Sequence, residues 1–551
     1  MTDIDVAALN QSFQQAVEHH RAGRLAEAER LYRGILAVRV EPHSLSLLGL
    51  IARAAGDGKA ALALIDQAIS LKPGVAEFHN NRGNVLRDLG RPQEAAEALG
   101  QALALDPDTA AIKVNYGAAL LDAKRTEEAC TILEEAARAA PDSEEAYFCL
   151  GLARRAAKDY AGAVEALRRA VELAPAHAEG WYNLGNALHL DQRDREAVPC
   201  FERAMQLKPD YAEAYCNMGM TRRNSTEAVG WYESAIALQP NLPIAHSNLA
   251  HTLLLQGEYE RGFKEYEWRW RHPETPPRDF AQPQWNGEEM GDGLLLVHAE
   301  QGFGDTLQFM RYLVLLRPRV RRIAFECQPE LLALLESLPG LERIVARGDP
   351  LPAFDKHVPL MTLPRIFGTT LATVPAEPPY LTVDPARLAR WRERLSGSGK
   401  RVGLVWAGNP KHNNDANRSM RLADLAPLLA LDGIRFFGLQ KGERAGDAPP
   451  TGAAFTALSD EIEDFVDSAA IVSGLDLLIS VDTSIVHLAG ALARPAWVML
   501  PVAPDWRWQL ERTDSPWYPT LRLFRQPGPA GRKQLVETVA AALHQWARGD
   551  A

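Results

Sequence analysis

A short polar segment near the carboxyl terminus is the part of the sequence best suited to bind a phosphate group. Asp482, Thr483 and Ser484 follow a continuous apolar run, and a helical pattern begins near Ile485. Unpaired backbone N–H groups at such a helix start attract anions, and small hydroxyl or carboxylate side chains can cap them. His487 lies on the first turn of the predicted helix, beside any anion bound there. The same pattern also fits an ordinary helix cap and a packing histidine.

The elements around this segment follow the order strand, turn, helix, strand. Residues 476–481 form an apolar run of the kind that a strand buried on both faces needs, and residues 496–500 form the next one. The small residues Ala489-Gly-Ala491 let the helix lie close to a sheet. Because ligands bind at the carboxyl ends of parallel strands, we predict a βαβ-like unit with the polar segment at its binding edge.

Similar α/β patterns precede this unit. Alternating strands and helices begin at residues 294–299 and continue to about residue 383, and a second series starts at 401–408 and includes 436–440. Alternation of this kind predicts parallel sheets with helices on both faces. We expect two such domains in tandem to face each other across a cleft.

Further polar residues follow the carboxyl ends of predicted strands in the second series. Amide and cationic side chains in such loops can bind a nucleotide donor, although each one alone could be a solvated loop residue. Trp406 could stack on a base or fill the wall between domains. The predicted donor-binding residues are Asn409, Lys411, Arg418, Gln440, Lys441, Asp482, Thr483, Ser484 and His487.

A repeat of 34 residues dominates residues 1–270. Prolines recur at this spacing from Pro73 to Pro209, and a glycine stands ten residues after each of them, from Gly83 to Gly219. The next period is 31 residues, which predicts a shortened turn around residues 222–225. A 34-residue unit with small residues at its helix crossings resembles the tetratricopeptide repeat. The resemblance implies an α-solenoid with a concave binding face.

Asparagines stand two residues before the small residue of most repeats. An amide carries donors and an acceptor, so a row of asparagines on the inner helices could hold the backbone of an extended peptide. Asparagine ladders have this role in peptide-binding arrays that resemble eukaryotic O-GlcNAc transferase. The alternative is that each asparagine only bonds the neighbouring repeat. The predicted acceptor-binding residues are Asn81, Asn115, Asn183, Asn217 and Asn248.

The overall composition limits the classes of partner. A length of 551 residues with 46% apolar and 24% charged residues predicts several globular domains. A formal net charge of −11 argues against nucleic acid as the main partner. The five cysteines show no pair or cluster with metal-ligand spacing, which predicts reduced thiols. The start lacks a signal-peptide pattern and no run of 18 apolar residues occurs, so we expect a cytoplasmic protein without membrane insertion.

The tandem of α/β patterns resembles a GT-B glycosyltransferase of the heptosyltransferase-related group. Gly302-Phe-Gly-Asp305 matches the Gly-Asp loop of that group, and Asp482-Thr-Ser-Ile-Val-His-Leu-Ala-Gly-Ala-Leu492 matches its donor motif, with Ser484 in place of the usual glycine. The resemblance implies a pair of Rossmann-like domains and sugar transfer with inversion. The pair Asp106-Pro-Asp108 lies in a repeat turn and does not suit a metal. We therefore predict no metal and no cofactor beyond the nucleotide-sugar, with helix N-termini and cationic side chains stabilising the leaving group.

A carboxylate in the loop of the first α/β domain would be the general base. The family match implies Asp305, which with His487 makes up the predicted catalytic pair. Glu300 and His298 are close in sequence and compete for the same role. Because it directly precedes Thr306, Asp305 could instead cap a helix.

The fusion of repeats with this module resembles bacterial protein O-glycosyltransferases, including flagellin-modifying enzymes. The ending Asp505-Trp-Arg-Trp-Gln-Leu-Glu-Arg-Thr-Asp-Ser-Pro-Trp-Tyr518 carries part of that resemblance. It implies transfer of a sugar to Ser or Thr of an acceptor protein, with flagellin as the expected acceptor and a nonulosonic acid such as pseudaminic acid, carried on CMP, as the expected donor. The alternatives are transfer to a lipopolysaccharide or glycan acceptor, as heptosyltransferases do, and a non-catalytic repeat scaffold.

The predicted fold class is α + α/β multidomain. We expect a repeat superhelix at residues 1–270, a linker at 271–292, and Rossmann-like domains at 293–390 and 391–551, of which the last binds the nucleotide-sugar. The prolines that mark the linker are Pro273, Pro276, Pro277 and Pro283.

Overall fold

Antiparallel helix pairs build the amino-terminal part of the computed structural model, which describes residues 3–223, 225–272, 277–336, 338–412 and 414–549. The chain divides into two compact units, residues 1–221 and residues 222–551. The helices of the first unit pair in sequence order, which confirms the predicted tetratricopeptide solenoid. They are α1 (Asp3–Arg21), α2 (Leu25–Val38), α3 (Pro42–Ala54), α4 (Gly58–Leu71), α5 (Ala76–Asp88), α6 (Pro92–Leu105), α7 (Ala110–Asp122), α8 (Thr126–Ala139), α9 (Glu144–Ala156), α10 (Tyr160–Leu173), α11 (Ala178–Leu190), α12 (Asp194–Leu207) and α13 (Ala212–Met220).

The repeat glycines lie where the two helices of a pair come closest. A Cβ atom at Gly83, Gly117 or Gly151 would be 2.4 Å from a leucine Cγ atom of the partner helix. No side chain fits at that distance, so glycine lets the helix pair close around a buried leucine. The leucines concerned are Leu99, Leu133 and Leu167.

The shortened period affects α13. This helix has 9 residues, whereas α11, its counterpart one repeat earlier, has 13. The next helix begins at Glu227, so the shortening falls next to residues 222–225, where the sequence predicts it. Asn224 lies outside the described residues.

The second unit begins with the last helices of the repeat pattern, α14 (Glu227–Leu238), α15 (Pro243–Leu255) and α16 (Tyr259–Glu265). The hydroxyl of Tyr259 accepts a hydrogen bond of 3.1 Å from the Trp517 indole, and Arg269 forms a buried ion pair with Glu300. These contacts join the last repeat to the α/β region. The compact unit therefore starts before residue 270, where the sequence suggests the repeats end.

Part of the predicted linker runs beside a sheet. Pro273 and Pro276 lie outside the described residues. Further on, Trp285 is fully buried, and its N–H donates to the carbonyl of His357 at 2.8 Å. From residue 283 onward this segment is therefore attached to the first sheet.

Two parallel sheets form the rest of the second unit. The strands are β1 (Leu294–His298), β2 (Arg322–Cys327), β3 (Arg343–Ala346), β4 (Lys356–Pro359), β5 (Lys400–Val405), β6 (Ile434–Gly438), β7 (Phe455–Ala457), β8 (Leu477–Val481), β9 (Ala496–Leu500) and β10 (Leu521–Arg525). Their orders are β3-β2-β1-β4 and β10-β9-β8-β5-β6-β7. Counted from its own first strand, each sheet has the 3-2-1-4 order of a doubly wound fold, with β5 and β8 flanking the point where the second sheet reverses direction.

Helices cover these sheets. They are α17 (Phe303–Phe309), α18 (Leu313–Leu316), α19 (Leu332–Leu335), α20 (Leu363–Ile366), α21 (Pro385–Arg394), α22 (Asp415–Arg418), α23 (Ala426–Leu429), α24 (Phe465–Gly474), α25 (Ser484–Ala491) and α26 (Arg532–Arg548). Over the described ranges, no helix combines the length and the apolar character that a membrane crossing requires.

Candidate active site

The polar segment after β8 lies at the point where the six-stranded sheet reverses its strand order. Strands β5 and β8 are neighbours there, so the loops that follow them share one edge. Arg418 joins the two loops, because its Nη1 donates to the carbonyl of Asp482 at 2.9 Å. Arg418 is a cation at the predicted donor site that holds these two loops together. Its guanidinium also packs against Gly408.

Helix α25 starts at Ser484 without a side-chain cap. Thr483 precedes it in extended conformation, and its hydroxyl is 3.1 Å from that of Ser480. Among the described residues no side chain accepts from the first-turn N–H groups of this helix. The ordinary side-chain cap that the sequence also allowed is therefore not formed. The N–H of Val486 donates to the carbonyl of Thr483 at 3.1 Å, and the N–H groups that precede it in the first turn keep their capacity to bind an anion.

His487 is a buried, uncharged residue rather than a cation. Burial, with Arg507 and Arg311 nearby, lowers its pKa to about 3. Its Nδ1 is 3.0 Å from the Tyr518 hydroxyl, and its ring stacks on Trp508 with centroids 5.5 Å apart. The sequence places His487 beside the helix start correctly, but any role in binding a phosphate depends on a neutral N–H group.

The two sheets approach each other at His487. A Cβ atom at Gly304, in the first turn of α17, would lie 2.8 Å from Cδ2 and 3.4 Å from Nε2 of His487. The same point is 3.6 Å from the Cα atom of Ser484. Glycine at 304 therefore lets the start of α17 lie close to the start of α25.

Asp305 lies on the other side of this approach. Helix α17 begins at Phe303, so Asp305 is within its first turn and not before it, and one carboxylate oxygen accepts from the N–H of Gly302 at 2.8 Å. The other oxygen accepts from the guanidinium of Arg507. Burial raises the pKa of Asp305, and the Arg507 charge opposes this rise. The predicted capping role is thus present, in a residue that also faces the second sheet's loop.

Arg507 links the site across the two sheets. Its Nη1 donates to Asp505 at 2.8 Å and its Nε to Gln308 at 2.5 Å, in addition to its bond with Asp305. Burial alone would raise the pKa of Asp505, but Arg507 lowers it on balance. Arg507 lies in the run 505–518, but no local pattern predicts its role, because its partner Asp305 is 202 positions away.

Asp482 is the acidic residue of the site whose negative charge is least neutralised by neighbouring cations. Burial and the neighbouring Asp505 carboxylate raise its pKa to about 6, against the opposing charge of Arg418. Among the described residues its carboxylate makes no ion pair. A carboxylate held in this state destabilises the fold at neutral pH, which is typical of functional sites.

One buried donor beside Arg507 has no acceptor. The Nε2 of Gln308 makes no hydrogen bond within the described structure, and the side chain has zero exposure. The indole of Trp508 is also fully buried, and its hydrogen bonding to Asp482 opposes the rise of the Asp482 pKa. An unpaired buried donor is unfavourable unless a ligand completes it. Gln308 could not be found from the sequence, because it does not belong to a predicted strand end.

Some predicted donor-binding residues have structural roles instead. The structure contradicts the predicted donor-binding role of Gln440. Its Oε1 accepts from the N–H groups of Trp406 and Ala407, and its Nε2 donates to the carbonyls of Ala407 and Lys441. Every hydrogen-bonding position of this amide is therefore used. Trp406 is also wrong as a base-stacking residue, since it is buried and its indole donates to Asp447 at 3.0 Å.

The other predicted donor-binding residues in these loops differ in whether their side chains are free to bind a ligand. Lys441 donates through Nζ to the carbonyls of Ser459 and Ile462, so it braces the chain. Asn409 and Lys411 are exposed, and the Asn409 carboxamide accepts from the N–H of Lys411 at 3.0 Å. Their donor-binding role stays a prediction.

The two competitors of Asp305 are fully engaged. Glu300 accepts two bonds from Arg269, at 2.8 and 3.1 Å, and a third from the N–H of Met361 at 3.0 Å. Burial lowers the pKa of His298 to about 3, and its Nε2 is 3.2 Å from a ring nitrogen of His357. Both groups are buried more deeply than Asp305: the side chain of Glu300 is 4% exposed and that of Asp305 is 19% exposed, and His298 is 2% exposed.

The asparagines of the solenoid bond the neighbouring repeat. Asn81 donates to the Ser46 hydroxyl at 3.1 Å, and Asn115 donates to the Asn80 carboxamide at 2.8 Å. Each partner lies 35 positions earlier, on the corresponding helix of the preceding repeat. At these two positions the asparagine bonds the neighbouring repeat, which is the alternative to peptide binding that the sequence left open.

Two further ladder members differ from each other. Asn217 follows the same pattern, since it donates at 3.2 Å to the Tyr182 hydroxyl, 35 positions earlier, whereas Asn183 donates within its own helix to the Glu179 carbonyl at 2.9 Å. Asn248 belongs to the second unit and also has a partner. The peptide-binding role of the ladder stays a prediction.

No cluster of three or more His, Cys, Asp or Glu side chains with the geometry of a metal site occurs in the described part of the chain. The acidic residues of the candidate site face Arg507 and Arg418 instead. Cationic and dipolar groups are thus the groups at hand to meet an anion there.

Comparisons with known proteins identify the amino-terminal region. Family models of the tetratricopeptide repeat match residues 13–76, 80–144 and 178–211, and a TPR repeat model matches residues 152–192. Over 329 residues the chain is 26% identical to Protein FlbA of Caulobacter vibrioides, a match that covers 54% of this chain and 54% of that protein. The chain therefore spans about half the length of this homologue.

Two similar solved structures each match about a third of the chain. MamA is 23% identical, with 30% of this chain and 97% of that chain covered and a TM-score of 0.28. YrrB, described as a TPR protein with an unusual peptide-binding site, is 26% identical, with 33% and 95% covered and a TM-score of 0.29.

Proposed function

We propose that the protein is an O-glycosyltransferase of the GT-B type that moves a sugar from a nucleotide donor to Ser or Thr hydroxyls of an acceptor protein. The observation that carries this proposal is the meeting of the two parallel sheets at their ligand-binding edges, with Gly304 against His487 and Arg507 bonded to Asp305. A transferase that joins two substrates needs such an edge from each domain.

The transfer step uses groups on both sides of this meeting point. The acceptor hydroxyl oxygen attacks the anomeric carbon, and the bond from that carbon to the donor phosphate oxygen breaks. The hydroxyl proton passes to the Asp305 carboxylate, whose raised pKa favours proton uptake. The electron pair leaves with the phosphate, and the uncapped N–H groups of α25 and the imidazole of His487 stabilise its charge. The reaction inverts the anomeric centre and needs no metal.

The acceptor and the sugar are narrower proposals. The repeats indicate a protein-interaction scaffold, because tetratricopeptide arrays typically bind protein or peptide partners. We propose flagellin as the acceptor and a nonulosonic acid such as pseudaminic acid, carried on CMP, as the donor. A cytoplasmic location follows from that choice of nucleotide-activated donor. Transfer to a lipopolysaccharide acceptor would use the same site but would leave the repeats without a role.

A non-catalytic scaffold is the second candidate, and the repeats themselves favour it. The two readings differ in one test. In a transfer assay with the full-length chain, His487→Ala should lower the rate about 100-fold or more, because the leaving group loses a preorganised donor. Acceptor binding, measured separately, should not change. If that variant transfers sugar at the wild-type rate, the site assignment is wrong; if the wild type transfers none, the scaffold is the better account.

A further inference from the structure

Tyr518 is a fully buried tyrosine whose hydroxyl is 3.0 Å from Nδ1 of His487. The side chains of Arg311 and Tyr380 also form hydrogen bonds with this hydroxyl. Gly490, one turn after His487 on α25, makes room for it, since a Cβ there would be 2.2 Å from Cδ1 of Tyr518. The guanidinium of Arg311 lies over the tyrosine ring at 4.5 Å. The phenol is therefore held in one place from three sides.

The direction of this hydrogen bond follows from the acceptors at hand. A phenol O–H buried without an acceptor is unfavourable, and Nδ1 of His487 is an acceptor within hydrogen-bond distance. Of the other neighbours, Arg311 can only donate, and the Tyr380 hydroxyl oxygen already accepts from Arg311 at 3.0 Å. Tyr518 keeps its proton, because burial raises its pKa well above the usual value. His487 is uncharged for the reason given above, so it carries one ring proton. If Tyr518 donates to Nδ1, that proton is on Nε2.

Nε2 faces the place where the two sheets meet. It has no partner among the described residues, and its edge of the ring lies against Gly304 and near the start of α25. A neutral N–H at this position adds to the uncapped backbone N–H groups, so the set can stabilise an anion without a buried positive charge on the ring.

We propose that Tyr518 is a positioning residue that holds His487 in its Nε2–H tautomer, so that the imidazole donates a hydrogen bond to the departing phosphate oxygen of a nucleotide-sugar. The identity of that ligand rests on the proposed function; the tautomer does not. With the other tautomer, Nε2 would present a lone pair to the phosphate and repel it.

The test uses the full-length protein labelled with ¹⁵N-histidine and the variant Tyr518→Phe. Long-range ¹H–¹⁵N spectra distinguish the two tautomers, and the His487 signal is assigned by its loss in His487→Gln. We expect the wild type to carry the proton on Nε2 and Tyr518→Phe to show a mixture of tautomers. In a transfer assay Tyr518→Phe should lower kcat about tenfold with little change in the donor KM, since the lost hydrogen bond orients a group used in the transition state.

Tyr312→Phe is the matched control. Tyr312 is also a fully buried phenol, and its hydroxyl is 2.8 Å from that of Thr369. Removal of this hydroxyl should therefore cost stability but leave both the tautomer of His487 and kcat unchanged. A proton on Nδ1 in the wild type would overturn the proposal, and so would an unchanged tautomer or an unchanged kcat in Tyr518→Phe. If the wild type binds no nucleotide, the proposed function fails while the spectra still decide the tautomer.

Discussion

The repeats and the α/β region use polar residues in opposite ways. In the solenoid, Arg53 pairs with Asp88 and Arg87 with Asp122, each 35 positions apart and each partly exposed. In the α/β region, Arg507 reaches 202 positions to Asp305 and is nearly buried. Many weak local contacts define the solenoid, whereas a few buried long-range contacts define the site. Single substitutions should therefore have small effects in the first and large effects in the second.

Replacing one arginine in each region should have the largest difference in effect on stability. Arg507→Ala leaves two carboxylates without their cation, so we expect the second unit to lose about 2–4 kcal/mol of unfolding free energy. Arg53→Ala removes a surface pair and should cost at most about 1 kcal/mol. Urea denaturation followed by fluorescence measures both. Equal losses in the two variants would contradict the contrast between the regions.

Two glycine substitutions, one in each region, test how closely the helices need to pack. Gly304→Ala places a methyl group against His487, so transfer should fall more than about tenfold through displacement of the imidazole. Gly117→Ala meets Leu133 in the solenoid and should cost about 1–3 kcal/mol of stability without changing nucleotide binding. Binding titrations and thermal unfolding separate the two effects. A Gly304→Ala variant with wild-type transfer would show that the two loops need not approach so closely.

Asp482 and Asp476 stand at opposite ends of β8 and should have opposite effects. The pKa of Asp482 is raised to about 6, so its ionised form destabilises the fold, and the penalty grows as the pH rises from about 4 to 6. Asp482→Asn should therefore add about 1–3 kcal/mol at pH 7 and less at pH 5, while weakening donor binding.

Asp476→Asn is the control for that prediction. Burial would raise the pKa of Asp476, but hydrogen bonds from Arg401 lower it on balance, so its charged form stabilises the fold above pH 4. Its removal should cost up to about 1 kcal/mol at pH 7. Urea midpoints at pH 5 and pH 7 measure both variants. A loss of stability in Asp482→Asn would mean that this residue only supports the helix.

The smallest expected effect concerns the ladder. Asn115→Ala removes one hydrogen bond to Asn80, so we expect a loss of about 1 kcal/mol in the solenoid. If the ladder also holds an acceptor peptide, the same variant should weaken acceptor binding a few-fold in a titration. Unchanged affinity in this variant and in Asn81→Ala would leave the ladder with its structural role alone.

How far the sequence predicts the molecule depends on the range of the contacts involved. The repeat period, the strand at 496–500 and the helix after Thr483 follow from local patterns, and the structure confirms them. The position of Gln440 after a strand also predicts that it binds a ligand. The direction of a loop side chain is set by tertiary contacts, however, and Gln440 turns inward, where it accepts from the N–H of Trp406. The role of Arg507 does not follow from the sequence, because its partner Asp305 is 202 positions away. The role of Tyr518 does not follow either, because its contact with His487 depends on how the segment after β9 packs against α25 and not on a repeated spacing.

The measurement that tests the central claim most directly is a thermal-shift panel of the full-length protein against CMP, UDP, GDP, ADP and TDP. A ligand at about 100 times its dissociation constant should add about 2.7 kcal/mol of stability. We predict selective stabilisation by one nucleotide, with CMP expected, and its loss in His487→Ala. Stabilisation by none of the five would contradict a nucleotide-sugar transferase and favour the repeat scaffold.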